Sequence, residues 1–167
     1  MVYILTEQLY DEVAGDVAFA RYQAYLDTVG ARMPAGARAL ATSAWYFDSR
    51  DHRAPHDAWL ERACVEETVS PDGRRSVQIR VRLLGAYHDG HIEFYYRNVR
   101  HYRIALEPRD RDAGHGHRDW RHDEFRVAAD GRVEHEIEWW GIQSTGTWLI
   151  DAADVEYHWL PLESSNP

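Results

Sequence analysis

Val77-Gln78-Ile79-Arg80-Val81-Arg82-Leu83 and Val133-Glu134-His135-Glu136-Ile137-Glu138-Trp139 decide the fold of this chain. In the first, every apolar side chain falls on one face and every polar one on the other. The second obeys the same rule, except that His135 takes a place on the apolar face. A two-residue period is the signature of strands with one packed and one wet surface. The pattern runs from about Ala58 to Trp159, broken by Pro71-Asp72-Gly73, Asp89-Gly90 and Asp130-Gly131. Those pairs are turn formers, so the region predicts an antiparallel meander of about 7–8 strands, strongly curved or barrel-like.

Parity places the turns. Facing residues in a hairpin share a face, so apolar must oppose apolar. Asp89-Gly90 as a two-residue turn sets Leu83 against Tyr96 and Tyr87 against Ile92. A three-residue loop at Ala129-Asp130-Gly131 sets Val127 against Val133 and Phe125 against His135; a two-residue loop sets Phe125 against Glu136 and is rejected. Around Ser70–Gly73 two registers stand, one opposing Cys64 to Ile79 and one opposing Val65 to it. Residues 92–106 read as one strand kinked near Asn98 or as two strands. Residues 107–118 form the one long polar loop. If their strands are neighbours, Arg80 and Arg82 pair with Glu134, Glu136 and Glu138.

Ahead of the sheet, Thr6 is an N-cap, and Leu9, Val13 and Val17 recur at four-residue spacing up to Gly30. This predicts a helix over about 7–29, with Gly15 as its weak point. Pro34 opens a second helix through Ala37, Leu40, Ala41 and Ala44, against which Gly36 counts. The expectation is one α+β domain spanning 1–167. Its helical part covers about 6–46 and its antiparallel sheet about 57–160.

The 167 residues carry a formal charge of −9, with 28 acidic residues against 19 basic ones, all of them arginine. That balance argues against nucleic-acid binding and suits a basic protein partner. Without lysine there is no Schiff-base or phosphate-loop lysine chemistry. Cys64 is the only cysteine, so no internal disulfide forms and no cysteine zinc site exists. No signal peptide or membrane span is read, so the expected location is cytoplasmic. No cofactor is expected, and the oligomeric state is left open.

Two clusters hold chemistry. His115-Gly-His117-Arg-Asp119-Trp-Arg-His122 concentrates imidazole and carboxylate, which suit zinc, iron or nickel. No compact metal motif is matched, so no metal site is assigned. Its metal-ligating candidates are His115, His117, Asp119 and His122, with His117 and Asp119 able to converge on one strand face. The other cluster is His135, opposite Phe125 and diagonal to Asp123, within side-chain reach. A dry His–Asp pair can serve as a general base or simply as a hydrogen-bonded core pair. Trp139, Trp148, Tyr157, Tyr96 and Tyr102 share apolar-face parity in their own strands. They can line a pocket or fill a core. The ligand-binding candidates are therefore His135, Asp123, Trp139, Tyr96 and Tyr157, and no catalytic residue is assigned. Glu134-His-Glu-Ile-Glu138 lacks the lysine of the triphosphate-tunnel strand and is not read as one.

Pro55-His56-Asp57-Ala58-Trp59-Leu60 leads into the meander, and Trp148-Leu-Ile-Asp-Ala-Ala-Asp-Val-Glu-Tyr-His-Trp159 ends it. Together they resemble small bacterial domains of unknown function, some of them toxin-immunity proteins. The resemblance implies a bacterial, non-enzymatic binding or interaction domain and carries over no catalytic residue. The alternative is a small-molecule binder or hydrolase that uses His135 and Asp123 in an aromatic pocket.

Overall fold

The computed structural model describes residues 3–5, 15–108, 116–141 and 144–163. Helix α1 (Gly15–Val29) runs through a 3-10 turn (Gly30–Arg32) into α2 (Ala35–Ala41). The strands are β1 (Trp59–Val69), β2 (Arg75–Leu84), β3 (Gly90–Val99), β4 (His101–Arg103), β5 (Glu107–Pro108), β6 (Asp119–Val127), β7 (Val133–Trp140), β8 (Ser144–Ala152) and β9 (Asp154–Pro161). All pair antiparallel in one sheet, in the order β4-β8-β7-β6-β1-β2-β3-β9, with β5 also on β8. The expected N-cap at Thr6 and the first turns of the helix lie outside the described residues. No helix among those described is long and apolar enough to cross a membrane.

The two ends of this order belong to the same pair of strands. β3 continues into β4 through a bend at Asn98, whose φ is +48°. β8 continues into β9 across Ala153. β3 pairs with β9 as Tyr96↔Val155, and β4 pairs with β8 as Tyr102↔Ile150, a register shifted by one residue across the bend. The sheet therefore curls back on itself. It is not closed, because β1 and β6 share a single pair, Trp59↔Asp119. The shift at the bend also explains Tyr102. Its parity with Tyr96 is broken there, and it lies 43% exposed instead of inside.

The inner face is apolar and close to solid. Ile79, Val81, Leu83, Ile92, Phe94, Tyr96, Trp120, Phe125, Ile137, Trp139, Trp148 and Ile150 are all fully buried or nearly so. Trp120 stacks on Phe94 with centroids 5.2 Å apart and meets Trp139 edge-on at 5.4 Å. These large inward-facing aromatics supply the driving force for curling, since a flat sheet would leave much of their area in water.

Helix α1 covers the slit that the sheet leaves open. Among the described residues, β6 has no strand on its β1 side beyond Asp119, and its backbone groups there would be orphaned. Tyr22 Oη accepts from Phe125 N–H and donates to the Phe125 carbonyl, both at 3.0 Å. Tyr25 Oη accepts from Val127 N–H at 2.8 Å. Two tyrosines one turn apart thus stand in for a missing strand. Asp154, at the start of β9, caps α2 by accepting from Gly36 and Ala37 N–H, each at 3.0 Å. A Cβ at Gly36 would lie 1.8 Å from the Val155 carbonyl oxygen. The glycine that counts against the helix in sequence is what lets the helix approach β9.

Most expected pairings hold, and two are corrected. Val127↔Val133 and Phe125↔His135 form as read. Of the two registers at Ser70–Gly73, the one with Val65↔Ile79 forms. The Asp89-Gly90 turn does not form. Leu83 faces Ile92, and Gly85 N–H donates to the Gly90 carbonyl at 2.9 Å, so the loop is Ala86–Asp89 with His88 left-handed. Gly90 serves the strand instead, because a Cβ there would lie 2.3 Å from the Trp159 ring. β2 is not a neighbour of β7. Arg82 pairs with Glu61 and Glu93, and Arg80 with Glu66. The glutamates of β7 face β6 and β8 instead.

Candidate functional site

Asp123 and His135 meet inside the sheet as the register requires. His135 Nε2 lies 2.9 Å from Asp123 Oδ2, and Tyr96 Oη lies 2.8 Å from His135 Nδ1. Tyr46, from the turn after α2, donates to the same Asp123 oxygen at 2.7 Å, and Trp120 Nε1–H donates to Oδ1 at 2.9 Å. Trp120 and Asp123 share the inner face because a bulge between Trp120 and His122 absorbs one residue. Burial, with the Asp123 charge beside them, pushes the Tyr46 and Tyr96 hydroxyls well above their ordinary pKa. Tyr96 therefore donates to Nδ1, which places the imidazole proton on Nε2, facing Asp123. Every polar atom of the cluster has a partner.

The surroundings of this network are tight. His135 has no exposed surface and stacks on Phe125 at 3.9 Å. The crevice beside Asp123, between Tyr46, His56 and His122, holds about 40 Å³. That is room for roughly one water and no organic molecule. The geometry does what a cross-link does: it ties β3, β6, β7 and the α2 turn together through five side chains.

A cavity of about 610 Å³ opens elsewhere, where β1 and β6 part. Trp59, Leu60, Gly116, His117, Arg118, Asp119 and Gly141 line it. Its volume lies in the range of small-molecule sites. Arg118 has φ +69°, a left-handed conformation that a side chain resists. This twist breaks the alternation just before β6. Asp119 accepts from Trp59 Nε1–H at 2.8 Å, closing one wall. The His117 ring instead packs on Trp148 at 4.9 Å and on Trp139 at 5.3 Å, and those two tryptophans lie 5.0 Å apart. A Cβ at Gly141 would lie 2.5 Å from the Arg118 side chain, so the rim closes only over a glycine.

Behind the His117 wall of this cavity lie unsatisfied polar atoms. Among the described residues His117 Nδ1, Trp139 Nε1 and Trp148 Nε1 are buried without a hydrogen-bond partner. Each such group costs about 1–3 kcal/mol, and three on one cluster of touching rings is unusual in a folded protein. Desolvation lowers the His117 pKa, so its ring is neutral at physiological pH. The cavity thus offers a neutral imidazole, the Arg118 side chain and an apolar wall of Trp59 and Leu60, and the two buried indoles pack behind its His117.

A third group lies on the outer face, where His122 of β6 opposes Glu138 of β7. Burial raises the Glu138 pKa to about 7, and its Oε2 has no hydrogen-bond partner among the described residues. Burial also lowers the His122 pKa to about 4, helped by Arg121 and His56. Both side chains are thus held uncharged over the same pH interval.

Of the ligand-binding candidates, the structure joins His135, Asp123 and Tyr96 directly. It packs Trp139 against His117, a lining residue of the larger cavity. Tyr157 lies apart, half-buried between Phe94 and Trp45, its hydroxyl donating to the Arg53 carbonyl. Among the metal candidates, His115 lies outside the described residues, His117 and Asp119 line the same cavity, and His122 lies apart from them beside Tyr46 and His56. Among the described residues no trio of His, Cys, Asp or Glu could hold a metal ion. Sequence reasoning missed Trp59, Leu60 and Arg118 as cavity residues. The signal available was the pair of glycines, Gly116 and Gly141, flanking the start of β6 and the end of β7. Comparisons with protein-family models, with curated proteins and with solved structures found no match.

Proposed function

We propose that this protein is a non-enzymatic binding domain that takes a small aromatic molecule bearing a hydrogen-bond acceptor, such as a carboxylate, in the cavity between Trp59 and His117. The observation that carries this reading is the set of three buried, unpartnered polar atoms on His117, Trp139 and Trp148. An acceptor that displaces the His117 ring from its place on Trp139 and Trp148 pairs with the indole N–H groups, and the ring of the ligand lies against Trp59 and Leu60. Arg118 at the rim favours a negative charge. No serine, threonine, cysteine or lysine is among the lining residues described, which suits binding without turnover. The His135–Asp123 pair serves as the rigid support of the same sheet.

Calorimetric titration with naphthoate tests the proposal. One molecule binds per chain, and Trp139→Phe or Trp148→Phe, each of which keeps an aromatic ring and removes the N–H, weakens binding about tenfold. Trp59→Ala weakens it as well, while Tyr157→Phe leaves it unchanged. Naphthoate affinity that ignores both indole substitutions, or the absence of any binding, overturns the reading.

A further inference from the structure

We propose that two copies of the chain pair through the free edge of β1, antiparallel about a two-fold axis at Cys64. Among the described residues β1 has β2 on one side and, beyond Trp59, no strand on the other. From Glu61 to Val69 all residues but Cys64 are exposed, with Val65 at 43% and Val69 at 61%. An exposed edge of this length is a template for a further strand.

The phase of the β1–β2 ladder says which residues face outward. Ser70 N–H donates to the Arg74 carbonyl, and the register continues through Thr68↔Ser76, Glu66↔Gln78 and Cys64↔Arg80. Ladder bonds alternate, so Ala63, Val65, Glu67 and Val69 turn their backbone groups to the free edge. An axis at Cys64 sets Ala63 against the partner's Val65, both with outward backbone groups, so their hydrogen bonds form. On the outer face it sets Arg62 against the partner's Glu66, twice by symmetry, so that this carboxylate is shared between Arg62 and the Arg80 of its own chain, 3.5 Å away. Arg62 lies across from Arg82, whose own guanidinium is taken by Glu61 and Glu93, and no ion pair to Arg62 forms among the described residues. An axis at Val65 sets Arg62 against threonine, and one at Glu66 brings two carboxylates face to face. The axis at Cys64 also sets Glu61 opposite the partner's Glu67, each already held by an arginine of its own chain, Arg82 and Arg75. Arg62, which has no ion pair among the described residues, therefore decides the register and selects Cys64 as the centre, where the two cysteine Cβ atoms lie about 4.5–5.5 Å apart.

The test uses the full chain with light scattering at high micromolar concentration and mild copper-phenanthroline oxidation. Wild type is a dimer and forms a Cys64–Cys64 disulfide rapidly. Arg62→Glu and Glu66→Arg each slow cross-linking about tenfold, and the double reversal restores it, with circular dichroism confirming that every variant is folded. Cys64→Ser remains dimeric without cross-linking. A monomeric wild type overturns the proposal. So does cross-linking at one rate in wild type and single variants, or a double variant no faster than the singles.

Discussion

Replacing Glu138 with glutamine should stabilise the protein at pH 8 and leave it unchanged near pH 4.5. The Glu138 carboxyl, 8% exposed, is held at a pKa of about 7 by burial, against 4.5 for the free side chain. A raised carboxyl pKa means that the folded state keeps a proton the unfolded state has released. Stability from this group is complete below pH 4.5 and falls as pH rises to about 7. The difference of roughly 2.5 pKa units corresponds to about 3 kcal/mol. His122 runs the other way. Its folded pKa of about 4 lies below 6.5, so its contribution is complete above pH 6.5 and is lost as pH falls toward 4. In wild type the two slopes cancel between about pH 4.5 and 6.5. Glu138→Gln removes one of them and exposes the other, so the variant's own stability rises from about pH 4 to pH 6.5 and its margin over wild type widens from about pH 4.5 to pH 7. At pH 8 the gain of about 3 kcal/mol appears as a melting temperature higher by about 6–12 °C. Urea denaturation of both proteins in half-unit pH steps reads this directly. A difference between them that stays constant across the range would refute the reasoning, because a constant offset is packing and not protonation.

Three further substitutions probe the frame. His135→Ala should cost about 3–5 kcal/mol, since it empties a stacked ring position and strips a partner from buried Asp123; chemical denaturation measures it. Naphthoate binding by the folded fraction should persist. Tyr22→Phe should cost about 1–3 kcal/mol and speed amide exchange at Phe125, because both backbone groups there lose their partner. Gly36→Ala should cost about 1–3 kcal/mol through the clash with the Val155 carbonyl, where glycine-to-alanine in an ordinary helix stabilises. A stabilised Gly36→Ala variant would show that α2 does not sit against β9.

The legible part of the sequence was whatever obeys period two without interruption. Val133–Trp139 against Asp123–Val127 is such a stretch, and its register placed His135 beside Phe125 and within reach of Asp123. The parts that resisted reading are where one residue breaks the period. The bulge at Arg121 and the left-handed Asn98 each reverse the parity between the residues on their two sides. Tyr102 leaves its expected face for this reason, while His117 and Asp119 line one cavity as their spacing allows. Neighbour relations between distant strands also leave no mark in a single strand's pattern. Arg80 and Arg82 find Glu66, Glu61 and Glu93 on the adjacent hairpin strands, although Glu134–Glu138 presents an equally complementary row.

The two polar clusters of the interior differ in kind, and satisfaction separates them. Around Asp123 three donors meet one carboxylate, and His135 uses both ring nitrogens. Such a network gains nothing from a ligand, since every group already has its partner. Around His117 the opposite holds. Two tryptophans lie as deep as the first network, and their ring nitrogens, with Nδ1 of His117, have no hydrogen-bond partner among the described residues. The left-handed Arg118 beside His117 is itself costly, so the arrangement holds strain and desolvation together at one end of the sheet. A titratable pair is what sequence pattern highlights, because His135 violates the alternation. The indole N–H groups violate nothing in sequence, since tryptophan belongs on an apolar face. They become visible as a binding feature only when the sheet curls and their ring nitrogens are left without acceptors.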